Sequence, residues 1–466
     1  MSALPPGWAE TTIGSCLPVR YGKAAPKADQ GSVPVVASSG TIRHTTQGFA
    51  VGRTLVVGRK GGVGRVQMCS GPIWPTDTTY YISVPDGLSD KYLFYQIASL
   101  GLERLDRSTA IPSLQRQDLE AAAIRIAPKR EQERIVAAIE EQFSRLDAGM
   151  LALDRIRQNL KRMRAALLEA AVTGHLVRQA GSTNADELIE RIASDRHRDW
   201  TRHTSKPYRN PAAPSLLRVS IPGHWRIASL EALTDAIRVI CYGILMPKDN
   251  IASGISYVRV KDMRNWTIDV AGLHRTSPEI AQKYARASLR PGDLLLAIRG
   301  SYGRVAIIPA ELNGANITQD SARISAHPDL DRRYLLYYLG GSVANRYYSR
   351  VARGVAVKGV NIGDLRTMPV PVPPVEEQVM IADEVERQLA VLDRVETAVA
   401  AQLRRSASLR SSIFAAAFSG QLVPHDADDE PARVLLERIS AERATSNGHK
   451  PTNARKPRTN LSNVLA

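Results

Sequence analysis

The stretch DLEAAAIRIAPKREQERI, residues 118–135, returns as DLRTMPVPVPPVEEQVMI at 364–381. In each copy an apolar run meets a proline, and Glu-Gln follows shortly: Pro128 before Glu131 and Gln132, Pro374 before Glu377 and Gln378. Proline suits the first turn of a helix, where its missing N–H is no loss, and acids there meet the positive end of the aligned peptide dipoles. Helices are therefore predicted to begin after Pro128 and Pro374. Apolar residues then recur in steps of three and four: Ile135, Ile139, Phe143, Leu146, Met150, Leu153, Ile156, Leu160, Met163 and Leu167. A matching series, Ile381, Val385, Leu389, Leu392, Val399, Leu403, Leu409 and Ile413, runs through the second copy. Such spacing lays one apolar seam along a helix, facing another helix. Each series stops at a glycine, Gly174 in GHLV (174–177) and Gly420 in GQLV (420–423), where a left-handed C-cap residue belongs.

About forty helical residues make a rod of about 60 Å at 1.5 Å per residue. A small sheet domain cannot cover a seam that long, so the two rods are expected to pack on each other, antiparallel, as a coiled coil. The alternative is that each helix folds back locally.

The duplication extends outward from these helices. LPPGWAETTIGSC at residue 4 is echoed by SIPGHWRIASLEAL at 220, and DKYLFYQIASL by DRRYLLYYLGG. WPTDTTYYIS corresponds to ITQDSARIS, aligning Asp77 with Asp320, and ELIERIASDR returns as VLLERISAER. The part of each copy before the helix is β-branched, punctuated by Gly and Pro, and rich in Tyr and Arg, so it is expected to be a mixed sheet domain with some helix. The predicted fold class is α+β, a tandem duplication of a mixed α/β domain plus a long helix. The expected segments are 1–127 (first sheet domain), 128–178 (central helix) and 179–218 (a linker with a short helix, 185–200). They continue as 219–373 (second sheet domain), 374–424 (C-terminal helix) and 425–466 (a short helix, 432–443, then a disordered basic tail).

A chain of 466 residues with 62 Lys+Arg against 46 Asp+Glu carries a net charge of +16. Charge of that size points to a polyanion, nucleic acid first. No apolar run approaches the roughly 18 residues needed to cross a bilayer, and MSALPPGWAE has no signal-peptide pattern. Three scattered cysteines give neither a disulfide framework nor a zinc knuckle. A cytoplasmic location is expected.

Catalytic signatures are missing. There is no Asn/Asp-Pro-Pro-Tyr/Phe motif of amino-methyltransferases, no Asp/Glu-x-Lys of metal-dependent nucleases, no nucleophile elbow and no His/Cys pair at metal spacing. No catalytic residue and no metal ligand is assigned. The glycine-rich TLVVGRKGGVGRVQM (54–68) resembles a phosphate loop only superficially, because Gly64 is followed by Arg65 and Val66 instead of Lys-Ser/Thr. Its counterpart is DLLLAIRGSYGRVAII from Asp293, and both are expected to be strand–turn–strand.

Taken together, PPGW and IPGHW opening each half, GRKGGVGRV and IRGSYGRV, WPTDTTYYI, the repeated Pro-x-x-Glu-Gln and the GHLV/GQLV endings resemble the DNA-specificity subunit of type I restriction–modification systems. The resemblance covers residues 1 to about 445. It implies two target-recognition domains, spaced by two conserved helices, that bring two methyltransferase subunits and two restriction/translocase subunits to a split site on double-stranded DNA. It implies no cofactor in this chain; S-adenosylmethionine, Mg and ATP belong to the partner subunits. On that reading Arg59, Lys60 and Arg65, with Arg299, Tyr302 and Arg304, are expected at phosphates or guanines. Arg43, His44, Arg259, Lys261, Lys358, Asn361 and Arg116 are further candidates that scaffold roles would explain equally. The rods' outer faces and the Glu131–Gln132 and Glu377–Gln378 starts are expected to dock the methyltransferase subunits. Two rivals stay open: a protein-only coiled-coil adaptor and a stand-alone DNA-modifying enzyme.

Overall fold

Gly174 and Gly420 both adopt left-handed backbone, φ +77° and +76°. Each ends a long helix in a Schellman turn: His175 N–H bonds Ala170 O at 3.0 Å, and Gln421 N–H bonds Ala416 O at 2.8 Å. A second constraint forbids a side chain there. A Cβ on Gly174 would lie 2.2 Å from the Pro222 ring, and one on Gly420 would lie 2.3 Å from the Pro5 ring. The recurrence of PPGW/IPGHW and GHLV/GQLV is thus one fact, because each opening motif packs on one of these helix ends.

The computed structural model describes residues 4–27, 29–105, 112–178, 185–354 and 358–448. Two compact units emerge: Met1–Leu153 with Ala400–Ala466, and Asp154–Val399. This division cuts across both long helices, Lys129–Thr173 and Val375–Phe418. The first unit holds the start of one helix and the end of the other, and the second unit holds the remaining halves.

Within the first unit Phe143 meets Phe414 (ring centroids 5.1 Å apart) and Asp147 pairs with Arg410, so the numbering rises on one helix as it falls on the other. The helices are antiparallel, as expected. Within the second unit Arg164 pairs with Asp393 and Glu396. Buried positions on the C-terminal helix fall at Val385, Leu392, Val399, Ser406 and Ile413, a heptad step. Ile156, Met163 and Leu409, expected on the seam, are exposed. Each stands three positions after a heptad residue (Leu153, Leu160 and Ser406), whereas the covered Phe143, Met150 and Leu389 stand four after one, a difference that a pattern of threes and fours does not resolve.

Each unit carries the same sheets. In the first, a four-stranded antiparallel sheet runs in the order Val19–Tyr21, Thr79–Ser83, Thr54–Gly58, Val66–Cys69. Beside it lie Gly40–Thr45, Val33–Ala37 and Trp74–Pro75, the last pair parallel. In the second, Cys241–Tyr242, Ser321–Ile324, Leu294–Ala297 and Val305–Ile307 repeat the first sheet. His274–Thr276, Ile255–Val258 and Asn316–Ile317 repeat the other, again with the last pair parallel. One hairpin, Met263–Arg264 with Thr267–Ile268, belongs to the second unit.

The short helices play equivalent parts. Ala185–His203 docks on the second unit through buried Leu188 and Ile192, with Ala185 N–H on His224 O. Ala432–Gly448 docks on the first through buried Leu435 and Ile439, with Ala432 N–H on Gly7 O at 2.8 Å. The tail expected to be disordered lies, beyond residue 448, outside the described residues.

The Glu-Gln pairs require a correction. Glu131, Gln132, Glu377 and Gln378 are at most 2% exposed, so they cannot offer a docking surface. Glu131 accepts from Trp8 Nε1 at 3.0 Å and lies 2.9 Å from His425 Nδ1. Gln132 accepts from Ser89 N–H and donates to Ala127 O. In the second unit Glu377 pairs with His224 at 2.9 Å, while Gln378 accepts from Asp331 N–H and donates to Pro373 O. These residues lock each sheet domain to a helix start. Burial in the first turn follows from tertiary packing, which a local motif does not encode.

Candidate nucleic-acid interface

The glycine-rich stretch leads from a strand into a strand, Thr54–Gly58 into Val66–Cys69, and its counterpart leads from Leu294–Ala297 into Val305–Ile307. Neither opens a helix, so neither can present the N-terminal amides of a phosphate loop. The two turns are built alike. Gly64 N–H bonds Gly58 O and Gly58 N–H bonds Arg65 O; Gly303 N–H bonds Ala297 O and Ala297 N–H bonds Arg304 O, all at 2.8–3.0 Å. Gly61 and Gly64, like Gly300 and Gly303, have positive φ between +67° and +89°. A Cβ on Gly64 would meet Leu102 at 2.8 Å, and one on Gly303 would meet the Asn345 amide at 2.3 Å. Glycine is needed for the bend and for the close approach at its inner side. The outer side carries the charge: Lys60, Arg65, Arg299 and Arg304 are all exposed.

The backs of the turns are pinned by one carbonyl each. Arg59 and Lys60 N–H groups reach Thr78 O, while Ile298 and Arg299 N–H groups reach Asp320 O. Thr78, not Asp77, is therefore the structural counterpart of Asp320, a one-residue correction to the alignment.

The candidates have distinct surroundings. In the first unit Arg59 is half-buried, donating to Asp77 O at 3.2 Å and lying 5.3 Å over the Tyr21 ring, with Arg116 on the same ring at 5.6 Å. Arg65 donates to Ser39 O, which brings it to the tip of the hairpin carrying Arg43 and His44. Those two are exposed neighbours on the edge strand Gly40–Thr45, and Arg43 also bonds Pro26 O. Burial pushes the Tyr80 phenol, beneath Tyr21, up to about 12, so it stays neutral there.

In the second unit Arg299 pairs across a bridge with Gly359, and Gly300 N–H bonds Lys358 O, so Arg299 and Lys358 share one tip. Asn361 is exposed at the start of the short helix Ile362–Arg366. Tyr302 is partly buried against the core and anchors the turn. Arg304 and Lys261 line a polar hollow of about 700 Å³ together with Arg264 and Asn265. Arg259 is different: its guanidinium grips Asp262 through two 2.9 Å bonds and donates to Gly272 O, so it is committed to the scaffold.

The sequence model of the type I restriction modification DNA specificity domain matches residues 5–152 and 246–404. The chain belongs to this family. It is 29% identical over 408 residues to the type I restriction enzyme EcoBI specificity subunit of Escherichia coli, spanning 85% of this chain and 81% of that one. It is 23% identical over 463 residues to the Escherichia coli EcoDI specificity subunit, spanning 96% and 98%. A solved structure described as the structural basis of complex assembly and conformational transition of the type I R-M system shares the fold, with a TM-score of 0.61 at 17% identity over 90% of this chain and 100% of that chain.

Lysine offers a compact point charge and arginine a planar fork of donors, the two kinds of group that phosphates and guanine edges accept. Sequence reading overlooked Arg264, Asn265 and Trp266. The signal was present, alternation around an asparagine in MRNWTI, but Asn-Trp is not a familiar turn pair. Among the described residues no helix is long and apolar enough to cross a membrane, and no three His, Cys, Asp or Glu gather as a metal site.

Proposed function

We propose that this type I specificity chain recognises an asymmetric, bipartite duplex, one half-site for each unit, and that it performs no chemistry itself. The carrying observation is the repetition of one glycine turn with two outward cations in both units, set among unlike neighbours. Equal frames with different polar surroundings favour two different half-sites. Methyltransferase subunits, which would hold S-adenosylmethionine, dock on the outer helix faces, where Ile156, Met163, Val391 and Val395 are exposed. Restriction/translocase subunits, with their ATP and Mg, join that assembly. The long helices set the number of base pairs between half-sites.

Site selection from randomised duplexes, repeated at two salt concentrations, tests this. The expected result is a split site with unlike halves and affinity that falls steeply with salt, since displaced phosphate counterions demand it. Absence of salt-dependent duplex binding would favour the protein-only adaptor, and methyl transfer or cleavage by the purified chain would favour the stand-alone enzyme. Adding one turn to both helices should change the gap and leave the bases read unaltered.

A further inference from the structure

In the first unit the strands Val33–Ala37 and Gly40–Thr45 are joined by two residues, Ser38 and Ser39. Their counterparts in the second unit, Ile255–Val258 and His274–Thr276, are separated by residues 259–273. The insertion forms a two-stranded ribbon, Met263–Arg264 paired with Thr267–Ile268. Its roots are in the core: Met263 and Ile268 are buried, and Asp262 is tied to Arg259. Its tip is not. Arg264 and Asn265 are exposed.

The tip is held in an unfavourable backbone conformation. Asn265 has φ +46° and Trp266 φ +68°, the positive pair that a tight hairpin turn demands. Asparagine tolerates this; a bulky aromatic rarely does. Packing keeps Trp266 there. Its ring lies so close over Gly340 that a Cβ on that glycine would fall 2.2 Å from it, and it meets Tyr337 edge-on at 5.7 Å. Its carbonyl accepts from Ile307 N–H at 3.0 Å, clamping the ribbon to the strand that leaves the glycine turn. The hollow between ribbon and turn is lined by Lys261, Arg264, Asn265 and Arg304, and among the described residues no carboxylate lines it. In the first unit the equivalent arginine, Arg65, is bonded to the short turn itself at Ser39 O.

Resting on the DNA-recognition reading above, we propose that this ribbon is the base-reading element of the second unit. It enters the major groove, which is wide enough for two strands. Arg264 and Asn265 face base edges, and Lys261 and Arg304 hold the flanking phosphates. Arginine pairs in fork geometry with guanine O6 and N7, and asparagine with adenine N6 and N7, so the half-site read here contains a guanine and an adenine close together. A tip fixed by Trp266 loses little freedom on binding, as a specificity contact requires.

The test is duplex selection and binding by the full chain, wild type against Arg264→Ala and Asn265→Gly. Glycine at 265 keeps the positive φ, so the turn survives while the amide is lost. One half-site should lose its preference at one or two adjacent positions, with the other half unchanged. Cognate affinity should fall roughly 5- to 150-fold, and affinity for unrelated duplex at the same salt should not move. Variants that select the wild-type site with wild-type affinity would overturn the proposal, as would equal losses on cognate and unrelated DNA. If the wild-type chain selects no split site, the broader reading fails instead, and the two failures are distinguishable.

Discussion

Replacing Glu131 by alanine separates a structural joint from a docking contact. The carboxylate is 1% exposed and serves two donors, Trp8 Nε1 at 3.0 Å and His425 Nδ1 at 2.9 Å. A hydrogen bond to a charged group contributes about 1.5–3 kcal/mol, and a buried N–H left without an acceptor costs about 1–3 kcal/mol. The His425 side chain is a third exposed and can turn to water, so its share is small. The indole loss is moderated too. Trp225, which occupies the equivalent place in the second unit, has its Nε1 buried with no partner among the described residues, so this scaffold survives one orphaned indole. The expected cost is about 2–4 kcal/mol for Glu131→Ala. Glu131→Gln keeps an acceptor for Trp8 and should lose about half as much. In urea, where small domains change by about 1–3 kcal/mol per molar, the transition of the first unit, followed by tryptophan emission, should fall by about 1–2 M. Below that transition, capture of the methyltransferase subunit should match wild type. A variant that unfolds like wild type yet fails to capture the subunit would refute the joint and make Glu131 a docking residue after all.

Arg304→Ala should leave stability within about 0.5 kcal/mol, because among the described residues its side chain makes no ion pair or hydrogen bond, while binding to cognate and unrelated duplex weakens alike. The salt dependence should drop by about one counterion in a salt titration, and a loss confined to the cognate duplex would make Arg304 a base reader instead. Arg259→Ala should do the reverse: buried Asp262 loses its partner, stability falls by about 2–4 kcal/mol, and the bases selected do not change. Asp293 is buried, which by itself would raise its pKa, but Arg238, Ser325 and the Arg290 N–H hold it below its ordinary 3.8. Its contribution is therefore complete above that value and is lost as pH falls through the lower folded value, and Asp293→Asn should flatten this acid limb in a pH series of thermal melts.

The helices were legible because their signals are local. Pro128, Pro374 and the glycines at 174 and 420 bound them, and the apolar steps gave the seam. The glycine turns were legible for the same reason, since GRKGGVGRV and IRGSYGRV concentrate positive-φ residues beside cations. Arg259 and Arg304 could not be told apart in this way. Both are arginines beside β-branched residues, and only the backbone path brings Asp262 to one of them and open space to the other.

The amino-acid sequence by itself determined that this protein is a duplication, where its rods start and stop, and that each copy carries a cationic turn. The tertiary structure decided how the copies are completed. Gly420 ends its helix against Pro5, and Glu131 meets His425, residues 294 positions apart. It also decided that the repeated Glu-Gln pairs are buried, and that a strained Trp266 braces a ribbon in one unit alone. Caps, turns and periodicity are written within a few residues because backbone sterics and helix geometry act over that range. Burial and long-range pairing depend on which distant surfaces meet, and no short stretch of the chain contains that information.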